Sequence, residues 1–256
     1  MIDMLERSSP KLRNAIRELH NAEAREEQRE FLVEGPHACS DLLKAGLQVK
    51  LLVIADDAST EAQDCLARAI LNGVRCFAAS ASELQRMGTT KTSQGVVMVM
   101  SYLPERELGN RIVALDGVSD PGNVGTIIRS ASWFGCTDVV LSSDCADVYN
   151  AKVVRATAGA LASVNIVRRT DLHSLLSSHG DVRAVAAVAS DGTAPGEILL
   201  PDRWCLVIGS EARGVSPAVL NHCNIRTTIT CRGSGAESLN AAVAASILLY
   251  ELAGRR

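Results

Sequence analysis

Ten short apolar runs punctuate the chain, separated in most places by segments of helical length. In the first half they are FLVEG (31–35), KLLVIA (50–55), VRCFAA (74–79) and GVVMVM (95–100). In the second half they are RIVALDG (111–117), TDVVLSS (137–143), ASVNIVR (162–168), VRAVAAV (182–188), RWCLVIG (203–209) and RTTIT (226–230). Runs of this length, rich in β-branched residues and bounded by turn formers, predict strands. Strands alternating with helices predict an α/β protein, and near-continuous apolar strands predict a mostly parallel sheet covered on both faces. Tyr102 to Arg111 holds Pro104, Gly109 and Asn110 among charges and reads as a linker. The expected domains are therefore 1–103, a small α/β unit, and 108–256, a larger one. Residues 12–30, rich in Arg, Glu, Ala and Leu, predict helix with a solvated charged face.

Composition narrows the class. The 256 residues exceed the usual size of one domain, and 47% are hydrophobic. No apolar run approaches the roughly 18 residues of a membrane span. Met1 to Ser9 mixes acids and a base where an export signal needs an apolar stretch, so a cytoplasmic protein is expected. The eight cysteines include no pair with the spacing of a zinc or redox site, so free thiols and no metal are expected. Net charge is −3, with 13 basic against 15 acidic residues before Glu107 and 13 against 14 from it onward. Neither half is a general polyanion binder, and any grip on a nucleic acid would have to come from local bases such as Arg7, Lys11, Arg13 and Arg17, or Arg25 with Arg29.

Ligands of parallel sheets gather where strands end, and three strand ends carry unusual residues. In LDGVSDPGNVGTIIRSASWFG (115–135) a buried strand stops, Asp120 to Asn123 turn the chain, and a helix begins with Arg129 inside it. The glycines there lack dinucleotide-loop spacing. In LVIGSEARGVSP (206–217), Gly209 and Gly214 flank Glu211 and allow a ligand close to the backbone, while Ser216 and Pro217 start a helix. In TITCRGSGAESLNAAVAASILLYEL (228–252), Ser238 is the expected N-cap of an alanine-dense, buried helix.

Together, Asn123, Gly125 and Arg129 (N-x-G-x-x-x-R), Gly209, Glu211 and Gly214 (G-x-E-x-x-G), and Ser238 to Ala242 (S-L-N-A-A) resemble the three motifs of the SpoU/TrmH-type RNA ribose 2′-O-methyltransferases, the SPOUT class. FLVEG, SQGV (93–96) and RATAGA (155–160) resemble further segments of that family, so the likeness spans the chain. Two positions depart from it. Ser93 stands where the family commonly has His, and the proline that usually precedes the third motif is missing. Counting from either side puts the isoleucine that contacts the cofactor at Ile229 or at Thr230.

The resemblance implies a C-terminal parallel sheet tied in a trefoil knot, preceded by a ribosomal-protein-like RNA-binding domain. It also implies a homodimer, an RNA substrate, ribosomal first and transfer RNA second, and S-adenosylmethionine as cofactor, held by backbone at Gly209, Ile229 or Thr230, and Leu239. Arg129 is the residue that the family assigns to activating the ribose hydroxyl; Asn123, Glu211, Ser238 and Asn240 position substrate, cofactor and loops. A guanidinium with a pKa above about 12 is a poor base, so holding the phosphate and polarising the hydroxyl suits Arg129 better. Two other classes compete. A nicotinamide-dependent dehydrogenase would share the alternation but lacks its glycine fingerprint, and a non-catalytic RNA-binding homologue would not need Arg129, Glu211 and Asn240.

Overall fold

Each of the ten apolar runs forms a strand, most of them shorter than the run that predicted it. The structure is a computed structural model and describes residues 1–233 and 238–254. Contacts divide the chain into two units, one of Met1–Leu103 with Tyr149–Ala162, the other of Pro104–Val148 with the chain from Ser163 onward. Among the described residues no helix is long and apolar enough to cross a membrane.

The first unit runs β1 (Glu6–Arg7), α1 (Pro10–Glu18), α2 (Ala22–Gln28), β2 (Glu30–Glu34), α3 (Pro36–Lys44), β3 (Val49–Ala55), α4 (Thr60–Leu71), β4 (Arg75–Ala79), α5 (Ala81–Met87) and β5 (Val96–Ser101). Its sheet has the order β1-β4-β3-β5-β2, parallel from β1 to β3 and antiparallel where β5 meets β3 and β2. Val96 to Met100 are buried on both faces, which is why that run is apolar without alternation. Local chemistry starts the helices: Ser9, Asn21, Ser59 and Ser80 each accept a hydrogen bond from a first-turn N–H. Arg25 is not a surface base. It is buried and donates to the carbonyls of Leu19 and His20, both at 2.9 Å. Arg29 pairs with Glu26 and lies over the Tyr102 ring at 4.6 Å. Arg25 therefore serves the fold and leaves the expected RNA patch, while Arg29 stays exposed.

The second unit is a six-stranded parallel sheet, with β6 (Arg111–Asp116), β7 (Asp138–Leu141), β8 (Asn165–Val167), β9 (Arg183–Ala187), β10 (Trp204–Gly209) and β11 (Ile225–Thr227) in the order β11-β9-β10-β6-β7-β8. Helix α6 (Pro121–Trp133) follows β6. On one side Ile112, Ala114, Val207 and Ala184 of the strands pack with Leu172, Leu176 and Val219. Between β7 and β8 the chain lends α7 (Ala151–Thr157) to the first unit, so the expected 108–256 boundary differs from the contact grouping over 149–162. There Arg155 donates to Glu34 at 3.0 Å, joining the RATAGA and FLVEG segments, and Tyr149 stacks on Tyr102 at 3.9 Å. Short helices α8 (Leu172–Ser178) and α9 (Pro217–Leu220) precede the final α10 (Ala241–Ala253).

Candidate active site

Chain order in the parallel sheet reverses between neighbours β6 and β10: β7 and β8 continue from β6 on one side, β9 and β11 from β10 on the other. Such a reversal opens a crevice beyond the strand ends, because the connections leave in opposite directions. Asp116 and Gly209, the last residues of the two strands, are paired in register. The half-buried Asp116 carboxylate also accepts a bond from the Ser216 N–H at 2.7 Å, fixing the loop after β10 to the end of β6. Sequence reasoning missed Asp116. Its signal is a single acid ending an otherwise apolar strand.

The loop after β10 closes on itself: Ser210 N–H donates to the Gly214 carbonyl at 3.2 Å and Gly214 N–H returns a bond at 2.8 Å. Gly214 has φ +66°, in the left-handed region. A Cβ on Gly209 would stand 2.0 Å from the Gly214 carbonyl carbon and 2.1 Å from the Val215 nitrogen, so only glycine fits. The hairpin carries Glu211 outward into solvent.

The loop after β6 ends on Asp120, whose side chain accepts from the Asn123 N–H at 2.9 Å and caps α6, with Pro121 at the first helical position. Asn123 thus sits in the first turn. Helix α10 begins at Asn240, not at the expected Ser238: the Asn240 Oδ1 accepts from the N–H groups of Ala242 and Val243 at 3.0 and 3.2 Å. With its oxygen so engaged, Asn240 turns its amide nitrogen to Asn123 Oδ1 at 2.9 Å, and Asn123 in turn donates from Nδ2 to Glu211 Oε1. The three motifs meet in one chain of hydrogen bonds. Every amide in it has one workable orientation, and the chain ends on a carboxylate with a second oxygen to spare.

Arg129 stands outside this chain. It is exposed on α6 and makes no side-chain bond to a described residue, while neighbouring Ser130 bonds Ser246 of α10 at 2.8 Å. Ser238 lies in an exposed bend, also without a partner among the described residues. Ile229, half-buried, and Thr230, exposed, continue from β11 without joining a ladder. Their N–H groups, and that of the half-exposed Leu239, have no backbone partner among the described residues and can receive a ligand. Among those residues no three His, Cys, Asp or Glu side chains are grouped to hold a metal ion.

Residues 110–250 match the model of the SpoU rRNA methylase family, and residues 10–98 match that of the MRM3-like substrate binding domain. The chain is 32% identical over 243 residues, 93% of its length and 94% of the relative's, to the 23S rRNA (guanosine(2553)-2′-O)-methyltransferase RlmP of Bacillus subtilis. The AdoMet-bound rRNA methyltransferase of Sinorhizobium meliloti superposes with a TM-score of 0.83 at 26% identity, covering 96% of either chain. The SpoU methyltransferase AviRb of Streptomyces viridochromogenes, solved in complex with AdoMet, gives a TM-score of 0.83 at 26% identity over 96% of this chain and 98% of that one. A six-stranded parallel sheet with its crevice at the β6–β10 reversal, and three motifs joined there through Asn123, define a SPOUT-type methyltransferase. The chain belongs to the SpoU rRNA methylase family.

Proposed function

We propose that this protein methylates a ribose 2′-hydroxyl of ribosomal RNA, using S-adenosylmethionine, at the crevice between the β6 and β10 loops. The observation that carries the reading is the Asn240–Asn123–Glu211 chain, which unites three distant segments where a parallel sheet binds ligands. The N–H groups at Ile229 or Thr230 and at Leu239, without a backbone partner among the described residues, fit a cofactor held through backbone beside the tight turn at Gly209. When bound, that cofactor supplies an electrophilic methyl group on a sulfonium. The protein must then align the 2′-oxygen, exclude water and help the hydroxyl proton leave. Arg129, exposed and without a partner among the described residues, has five donors free for the target phosphate and hydroxyl. Glu211, whose Oε2 has no partner among the described residues, would accept the proton, and Ser238 would close over the substrate. We place this reaction in the cytoplasm.

Three further features belong to this reading. The first unit, matching a substrate binding domain, would select the RNA while the second performs the chemistry. The second unit would carry the trefoil knot that the family resemblance implies. A homodimer would cover the face of α10 and α6 that exposes Val243, Ile247, Tyr250 and Trp133, the last 84% exposed. Calorimetry tests the cofactor assignment: about one S-adenosylmethionine per subunit is expected, and no binding at millimolar concentration would remove the enzymatic reading.

A further inference from the structure

Among the described residues of the first unit, two grooves differ in their chemistry. The larger, about 650 Å³, is bordered by Asp57 and Glu61, and its only base, His37, lies 3.8 Å from Glu61. Carboxylates at that density repel a phosphate. The smaller, about 200 Å³, lies between α1 and α5 and is lined by Arg13, Asn14, Arg17 and Arg86, against the single acid Glu83.

That acid is already engaged. Bonds from the Ser80 backbone N–H and hydroxyl, with Arg13 and Arg7 beside it, hold the Glu83 carboxyl below its usual range. It forms the capping box of α5 and pairs with Arg13 at 3.2 Å and Arg7 at 3.6 Å. Its charge is therefore shared between two arginines, leaving Arg17 and Arg86 uncompensated. Arg17 has no side-chain partner among the described residues, and Arg86 uses only Nε, bonded to the Ser82 carbonyl at 3.1 Å. The walls are rigid: Ser9 caps α1, and the His20 ring bonds the Met87 carbonyl at 2.8 Å, tying the end of α1 to the end of α5. A groove below the roughly 300 Å³ of ordinary small-molecule pockets is too small for a nucleotide cofactor, yet suits one or two phosphate groups lying across it.

We propose that the α1–α5 groove is an RNA phosphate site, in which Arg17 and Arg86, steadied by Arg13 and Asn14, hold the backbone of the substrate RNA. This rests on the RNA-methylating reading above and narrows it. A chain with net charge −3 does not attract RNA as a whole, so local, uncompensated bases such as this pair of arginines supply the grip. Neither residue reads sequence; both set the position of the RNA.

The test uses the full-length protein and ribosomal RNA lacking the modification. Binding is measured across a salt series for wild type, for Arg17→Ala with Arg86→Ala, and for Arg17→Lys with Arg86→Lys. Both side chains are exposed, so the variants should fold, and S-adenosylmethionine affinity should not change. The alanine pair should lower the salt slope by about 0.7 to 0.9 per contact, and the lysine pair should recover most of it, because a phosphate needs charge more than a planar fork. If wild type binds and methylates RNA while the alanine pair matches it in affinity and slope, the groove serves another ligand, such as an acidic protein segment, and the proposal falls. If wild type neither binds nor methylates any RNA, the functional reading itself fails.

Discussion

Asn240 donates from its amide nitrogen to Asn123 Oδ1 at 2.9 Å, across 117 positions of sequence, while its own oxygen caps helix α10. One side chain thus starts the last helix and orients the Asn123 amide of another motif. The two tasks can be separated by mutation. Asn240→Asp keeps an oxygen for the helix N–H groups and should retain stability, yet loses the donor to Asn123 and should slow methylation at least tenfold. Asn240→Ala removes both and should also cost about 0.5–2 kcal/mol of stability. Thermal unfolding beside single-turnover methylation distinguishes these outcomes; equal activity of the aspartate variant would show that the amide chain is ornamental to the chemistry.

Arg129→Ala should abolish methylation and leave cofactor affinity within about twofold, since the guanidinium is free of the amide chain. Arg129→Lys should not rescue it, because a compact ammonium cannot reproduce a planar set of donors. Calorimetry with the cofactor and an activity assay on the same preparations check both halves. Loss of cofactor binding in a folded variant would move Arg129 to a different role.

Gly209→Ala places a methyl group 2.0 Å from the Gly214 carbonyl carbon. Backbone must shift to admit it, at a cost of about 1–3 kcal/mol, and the loop carrying Glu211 should lose its shape. The expected result is a folded protein with at least tenfold weaker cofactor binding, read by calorimetry. Unchanged affinity would mean that the turn can open without harm to the site.

The final helix has a buried face and an exposed one, and the proposed dimer would use the second. Ala245 is fully buried inside its own unit, so Ala245→Trp should destabilise the fold itself by about 1–3 kcal/mol or more. Ile247→Glu with Tyr250→Glu lies on the exposed face and should leave each subunit folded but monomeric by light scattering. A double variant that remains dimeric would place the subunit interface elsewhere.

Much of this was legible in the sequence, for physical reasons. Strands buried on both faces must be apolar throughout, so Val96–Met100 and Trp204–Ile208 announced themselves as runs. Asn123, Glu211 and Asn240 stand out in the sequence through the family resemblance, but their joining through a chain of amides depends on the β6–β10 reversal, which no local pattern encodes. Ser238 reads as a cap in the sequence because Ser and Asn both cap well, and only the position of the first helical turn, which makes Asn240 the cap, decides between them. Likewise, Arg25 reads as one more exposed base until the fold buries it against the Leu19 and His20 carbonyls. The loan of residues 149–162 to the first unit is a tertiary event with no boundary signal such as Pro or Gly clustering at either end.

The most direct test of the central claim is ribose-methylation mapping of ribosomal RNA from cells with and without the gene, followed by addition of purified protein and S-adenosylmethionine to the unmodified RNA. The account predicts one 2′-O-methyl nucleotide lost with the gene and restored by the wild-type protein but not by Arg129→Ala. A ribosomal RNA methylation pattern identical in both cells, with no methyl transfer in the purified reaction, would contradict it.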